Sequence, residues 1–129
     1  MRAKIAVNRI AMGVLCTLAT LSSAAEGDAS AGATVFTQCA ACHAIGAEAQ
    51  NTVGPVLNGI VGRPAGTYPG YRYSSAMRKS GLVWDEATLT KYLRAPDQVI
   101  SGTKMAFPGI ASDADLANLI AYLKQQPAQ

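Results

Sequence analysis

The sequence has 129 residues, half of them hydrophobic, and a formal net charge of +3. That length bounds one domain. With no basic stripe or run, the charge leaves no footprint for a nucleic-acid partner.

The bases are unevenly placed. Arg2, Lys4 and Arg9 open the chain with no acid among them, and residues 10–21 follow as an uncharged, mostly apolar run. Ser22-Ser23-Ala24-Ala25 then supplies small residues at Ser23 and Ala25. That order predicts a secretory signal peptide over residues 1–25, cut after Ala25, and a functional domain over residues 26–129. A retained membrane anchor is the alternative, but the run is shorter than the roughly 20 apolar residues that a span needs. Cleavage discards Cys16 and three bases, so the remaining chain is neutral by count. Export also predicts an oxidising compartment, the periplasm.

The first helix is predicted from an N-cap at Asp28 towards Cys39, with Val35 and Phe36 apolar. It leads into Cys39-Ala40-Ala41-Cys42-His43, a C-x-x-C-H pattern. Two cysteines three apart lie on one side of a helical turn, so both sulfurs can reach the two vinyl groups on one porphyrin edge. The next residue, His43, can then ligate the iron through an imidazole nitrogen. This predicts one covalently attached haem c. A structural zinc site needs four Cys or His ligands, and without Cys16 only three remain. A redox dithiol of the thioredoxin kind needs βαβ surroundings, which the chain lacks.

Residues 54–70 are rich in Gly and Pro and read as loop. Loops of this length are uncommon in a compact domain unless something fills the space between them, as a haem does. A short helix is predicted after Ser74, ending before Gly81. A third opens at Asp85 and stops before Pro96, with Leu89, Tyr92 and Leu93 on one face. The last opens at Ser112, which forms a capping-box pattern with Asp115. Leu116, Leu119, Ile120 and Leu123 give it the clearest apolar stripe in the chain. The fold class is therefore all-α: about four helices and long loops wrapped around one haem.

His43 is the chain's one histidine. A second protein ligand to the iron is then Met77 or Met105, with tyrosine or lysine behind them. Met77 falls in a short helix, where a buried methionine usually packs. Met105 stands in Ser101-Gly102-Thr103-Lys104-Met105-Ala106-Phe107-Pro108-Gly109, where Gly and Pro bracket a loop able to aim a thioether inward. The residues favour Met105 while leaving packing open for both.

Taken together, these motifs resemble the class I c-type cytochromes, the group of mitochondrial cytochrome c and bacterial cytochrome c2. The resemblance rests on Gly32, Phe36, Cys39, Cys42 and His43, then Gly54-Pro55-Val56-Leu57, Gly62-Arg63, Gly70, Tyr73, Trp84, Tyr92-Leu93 and Pro96. It continues through Gly102-Thr103-Lys104-Met105, Phe107, Gly109-Ile110, Leu119 and Tyr122. It implies thioethers at Cys39 and Cys42 and axial ligands His43 and Met105. It also implies a Pro55 carbonyl that orients His43, propionate donors Arg63, Tyr73 and Trp84, and Tyr92 and Thr103 beside the methionine. Two features depart from the pattern. Met77 stands where the family often has Asn. Gln38, Asp97 and Gln98 stand where it often has lysine, although Lys104 remains.

The function implied is a soluble, monomeric one-electron carrier and not an enzyme. Its partners would be a quinol-oxidising complex or a periplasmic dehydrogenase on one side, and a terminal oxidase or a photosynthetic reaction centre on the other. Two alternatives are an obligate haem subunit of a dehydrogenase and a haem enzyme or sensor with an open iron site. The second would have no other histidine to serve as a distal acid or base.

Overall fold

The computed structural model describes residues 26–129. The expected leader, with Cys16, lies outside the described residues. Five helices follow in order: α1 (Ala29–Phe36), α2 (Ser75–Lys79), α3 (Glu86–Arg94), α4 (Pro96–Val99) and α5 (Asp113–Lys124). The architecture is all-α, and the sheet-like pairing among the described residues is an isolated antiparallel bridge between Pro64 and Val83.

Each predicted helix start is confirmed by its cap. Asp28 accepts from the Ser30 and Ala31 N–H groups, Ser74 from Met77 N–H, Asp85 from Thr88 N–H and Ser112 from Asp115 N–H. Each cap satisfies backbone donors that the first helical turn leaves open. Two expectations need correction. The helix expected from Asp28 towards Cys39 ends at Phe36; the chain continues to Cys42 as a series of turns. Pro96 was expected only to stop α3. It does, and it also opens the one-turn α4, because a proline at a first helical position loses no hydrogen bond and brings a preset φ.

The core forms where α1 packs on α5, with α3 against α4 and α5. The α5 stripe predicted from the sequence is buried, with Leu116 and Leu119 each 1% exposed. α1 approaches so closely that a Cβ on Gly32 would fall on the Asn118 carbonyl. Phe36 then meets Tyr122 with ring centroids 5.5 Å apart. The Asn118 side chain accepts from Asp28 N–H at 2.8 Å, which ties the start of α1 to the same partner helix.

The Pro64–Val83 bridge places two site residues. Gly62 N–H donates to Trp84 O at 2.8 Å, Trp84 N–H to Arg63 O at 2.9 Å and Ala65 N–H to Leu82 O at 2.8 Å. These bonds hold Arg63 and Trp84 on adjacent backbone at the edge of the core.

Candidate haem site

All ten residues singled out from the sequence line one cleft, and Met77 lines it too. The cleft encloses about 1300 Å³, counting the space at its open mouth.

The attachment motif is presented by a turn. Cys42 N–H and His43 N–H both donate to Cys39 O, at 3.0 and 2.9 Å, so the chain closes on Cys39 and brings both thiols and the imidazole to the cleft. Burial pushes the Cys39 thiol above its ordinary pKa, and the neighbouring Cys42 pushes the same way. His43 is held from behind: its Nδ1 lies 2.7 Å from Pro55 O. A carbonyl only accepts, so Nδ1 carries the hydrogen and Nε2 keeps its lone pair. Burial lowers the imidazole pKa and so favours the neutral, ligating form; the Pro55 contact pushes the other way but less strongly.

The two sides of this loop are laced together. Cys42 O accepts from Gly54 N–H at 2.7 Å and from the Thr52 hydroxyl at 2.7 Å, and Ala44 O accepts from Leu57 N–H at 3.1 Å. Gly54 lies flat against the His43 ring, and a Cβ there would run into three imidazole atoms. That close approach requires glycine at this position.

The other predicted residues take distinct places on the wall. Arg63 donates to Asn58 O and Val56 O, at 3.0 and 3.1 Å, with its guanidinium 4.8 Å from the Tyr68 ring centroid. Tyr73 accepts from Tyr68 N–H at 3.2 Å, which leaves its own O–H to donate. Trp84, 5% exposed, packs on Tyr92 at 4.8 Å between centroids. Tyr92 and Thr103 hydroxyls lie 2.8 Å apart, and Met105 N–H donates to Thr103 Oγ1 at 3.3 Å. Burial pushes both the Tyr73 and Tyr92 phenols above their ordinary values, so both stay protonated near neutrality.

Three contributors were missed from the sequence. Tyr71 donates to Val53 O at 2.7 Å across the mouth. Asn51 joins two loops, accepting from Val56 N–H at 3.0 Å and donating to Pro69 O at 3.0 Å. Asn58, 4% exposed, bonds the backbone of Gly46. Asn58 precedes Gly59, and Asn-Gly is a turn signal; the run around Asn51 gives no comparable sign.

The donor set fits a haem. It offers two thiols and a neutral imidazole with one nitrogen committed, in a cleft whose mouth carries hydroxyl and guanidinium donors. Fold and cleft define a small helical protein built to wrap a covalently bound haem.

The family model for cytochrome c matches residues 29–127. The chain belongs to the cytochrome c family. It is 54% identical over 99 residues to cytochrome c2 of Rhodoblastus acidophilus, covering 77% of this chain and 92% of that protein. To cytochrome c2 of Rhodomicrobium vannielii it is 48% identical over 121 residues, covering 94% and 97%. A solved structure of cytochrome cH from Methylobacterium extorquens superposes with a TM-score of 0.72 at 47% identity, covering 76% of this chain and 98% of that one. The expected all-α cytochrome fold, the covalent haem c with iron and the assignment as an electron-carrying cytochrome rather than an enzyme all follow from this membership.

Proposed function

We propose that the chain is a soluble, monomeric periplasmic carrier of single electrons with His43 and Met105 as axial ligands. The observation that carries the reading is the His43 imidazole, pinned at Nδ1 by Pro55 O at 2.7 Å beside a cleft that Met105 also lines. The haem, when bound, supplies a reversible one-electron iron couple.

The chain's residues do the rest. Cys39 and Cys42 hold the ring covalently. Pro55 fixes the imidazole's tautomer and orientation, so the ligand does not need to reorganise between oxidation states. The Thr103 hydroxyl, bonded to Met105 N–H, fixes the backbone from which the thioether projects. Two protein ligands leave no open site for substrate, and a His/Met pair raises the potential. Arg63, Tyr73 and Trp84 serve the propionates, whose charges need donors beside an apolar wall.

Residues 1–25 act as a leader removed after Ala25. Among the described residues, no helix is long and apolar enough to cross a membrane. The donors that suit such a carrier are a quinol-oxidising membrane complex or a periplasmic dehydrogenase. The suitable acceptors are a terminal oxidase or a photosynthetic reaction centre.

Ligation is tested by replacing Met105 and Met77 by Ala in turn and recording the ferric absorption spectrum. The weak far-red band of methionine–iron ligation is expected to vanish in Met105→Ala and persist in Met77→Ala. The reverse result overturns the assignment.

A further inference from the structure

The bonds Gly54 N–H to Cys42 O and Leu57 N–H to Ala44 O flank the His43–Pro55 contact, one rung on each side. A third rung follows, and it is not made by backbone alone. The Asn58 carboxamide is buried at 4% exposure. Its Oδ1 accepts from Gly46 N–H at 2.9 Å, and its Nδ2 donates to Gly46 O at 2.9 Å. One amide side chain thus satisfies the donor and the acceptor of one residue.

Asn58 is itself fixed from other directions. Its carbonyl accepts from Arg63 Nη1 at 3.0 Å, and the next residue, Gly59, donates its N–H to Gln126 O at 2.9 Å. Gly46 O also accepts from the Gln129 side chain, which donates to Ala47 O at 2.7 Å. The far end of the His43 loop is therefore clamped to the stretch that follows α5.

We infer that Asn58 is a positioning residue for His43. It acts through Gly46, keeping the two sides of the loop from peeling apart and so keeping Pro55 O on Nδ1. The inference rests on the reading of His43 as the iron ligand made above. An apolar side chain of similar volume at position 58 fills the space but leaves the half-buried Gly46 N–H without its acceptor. The third rung then opens, and the strain falls on the Leu57–Ala44 rung and on the His43–Pro55 bond beyond it. The Nδ1–H···O=C bond governs how basic the ligating nitrogen is, so loosening it is felt at the iron.

The test is proton magnetic resonance of the ferrous holoprotein, following exchange of the His43 Nδ1 hydrogen with solvent. Asn58→Leu is expected to speed that exchange about tenfold, the order expected for losing a part-buried pair of hydrogen bonds in a local opening. Asn118→Ala is the control. It removes the acceptor for Asp28 N–H, away from this loop, and should leave the Nδ1 exchange unchanged at the same temperature. Equal acceleration in both variants would show that Asn58 contributes stability only and overturn the inference. Should Asn58→Leu fail to fold, Asn58→Asp keeps the acceptor for Gly46 N–H and loses the donor to Gly46 O. A carboxylate oxygen then faces the Gly46 carbonyl, acceptor against acceptor, so the rung opens from that side; the exchange is expected to speed up here too, and an unchanged rate overturns the inference. A haem-shifted Nδ1 signal absent from the unaltered protein removes the ligand reading itself, an outcome distinct from either variant's.

Discussion

The Tyr92 hydroxyl lies 2.8 Å from the Thr103 hydroxyl, which at the same time accepts from Met105 N–H at 3.3 Å. Thr103 therefore links the core helix α3 to the loop that carries Met105. Removing either partner has an unequal cost. Tyr92→Phe takes away one hydroxyl and leaves Thr103 still bonded to Met105, so it should cost about 1 kcal/mol. Thr103→Val strands a buried phenol and the Met105 N–H together, so it should cost about 2 to 3 kcal/mol. Denaturant midpoints of the two holoproteins check the order. A more stable Thr103→Val would show that Thr103 does not join these elements.

The cap at Asp28 makes the start of α1 sensitive to acid. Its pKa is lowered, first by the bond from the Ser30 hydroxyl and then by the Ser30 and Ala31 N–H groups. A carboxylate depressed in the folded state adds stability above its unfolded value, and that stability is lost as the pH falls through its folded value. The loss should therefore begin as the pH drops below about 4. Asp28→Asn keeps a capping side chain without the charge. Its stability should fall less steeply over that range than that of the unaltered protein. Parallel acid-unfolding curves would rule Asp28 out as a contributor.

Gly32 at the α1–α5 crossing permits no side chain. An added methyl meets the Asn118 carbonyl, which is backbone of a packed helix and cannot swing aside. Gly32→Ala should cost about 3 kcal/mol, at the upper end for overpacking. Thermal denaturation of the holoprotein measures it, and a loss under about 0.5 kcal/mol would mean that the helices can part there at little cost.

How legible this protein was depended on the range of the interaction concerned. The caps Asp28, Ser74, Asp85 and Ser112 were readable because a cap is a contact over two or three residues. So was the apolar stripe of α5, because burial imposes a period. The haem motif was readable because its chemistry needs three residues within five positions. The clustering of Arg63, Trp84 and Tyr92 on one wall could not be derived from spacing and came only through resemblance. Asn51 and Asn58 were missed for the same physical reason. Each bonds backbone groups, and backbone is present at every position, so the sequence carries no mark of which carbonyl or N–H will be the partner. α4 is hidden in the sequence because Pro96, which ends α3, gives the same signal as a proline that opens a new turn.

In the proposed carrier role, docking should depend only weakly on salt. Residues 26–129 are neutral by count. Two basic side chains line the cleft, Arg63 and Lys104, and both are held by the protein. Arg63 donates to two carbonyls, and the Lys104 ammonium donates to Arg72 O at 2.8 Å. What the mouth exposes includes apolar side chains: Val53 is 72% exposed, with Ala106 exposed and Phe107 half-buried. Electrostatic steering falls steeply with ionic strength, whereas apolar contact does not. The bimolecular rate of electron transfer to its oxidant should therefore change by less than about tenfold between low and physiological salt. Val53→Lys puts an untethered cation at the mouth and should steepen that dependence towards an acidic oxidant. A steep dependence in the unaltered protein, unmoved by Val53→Lys, would place the contact away from this mouth.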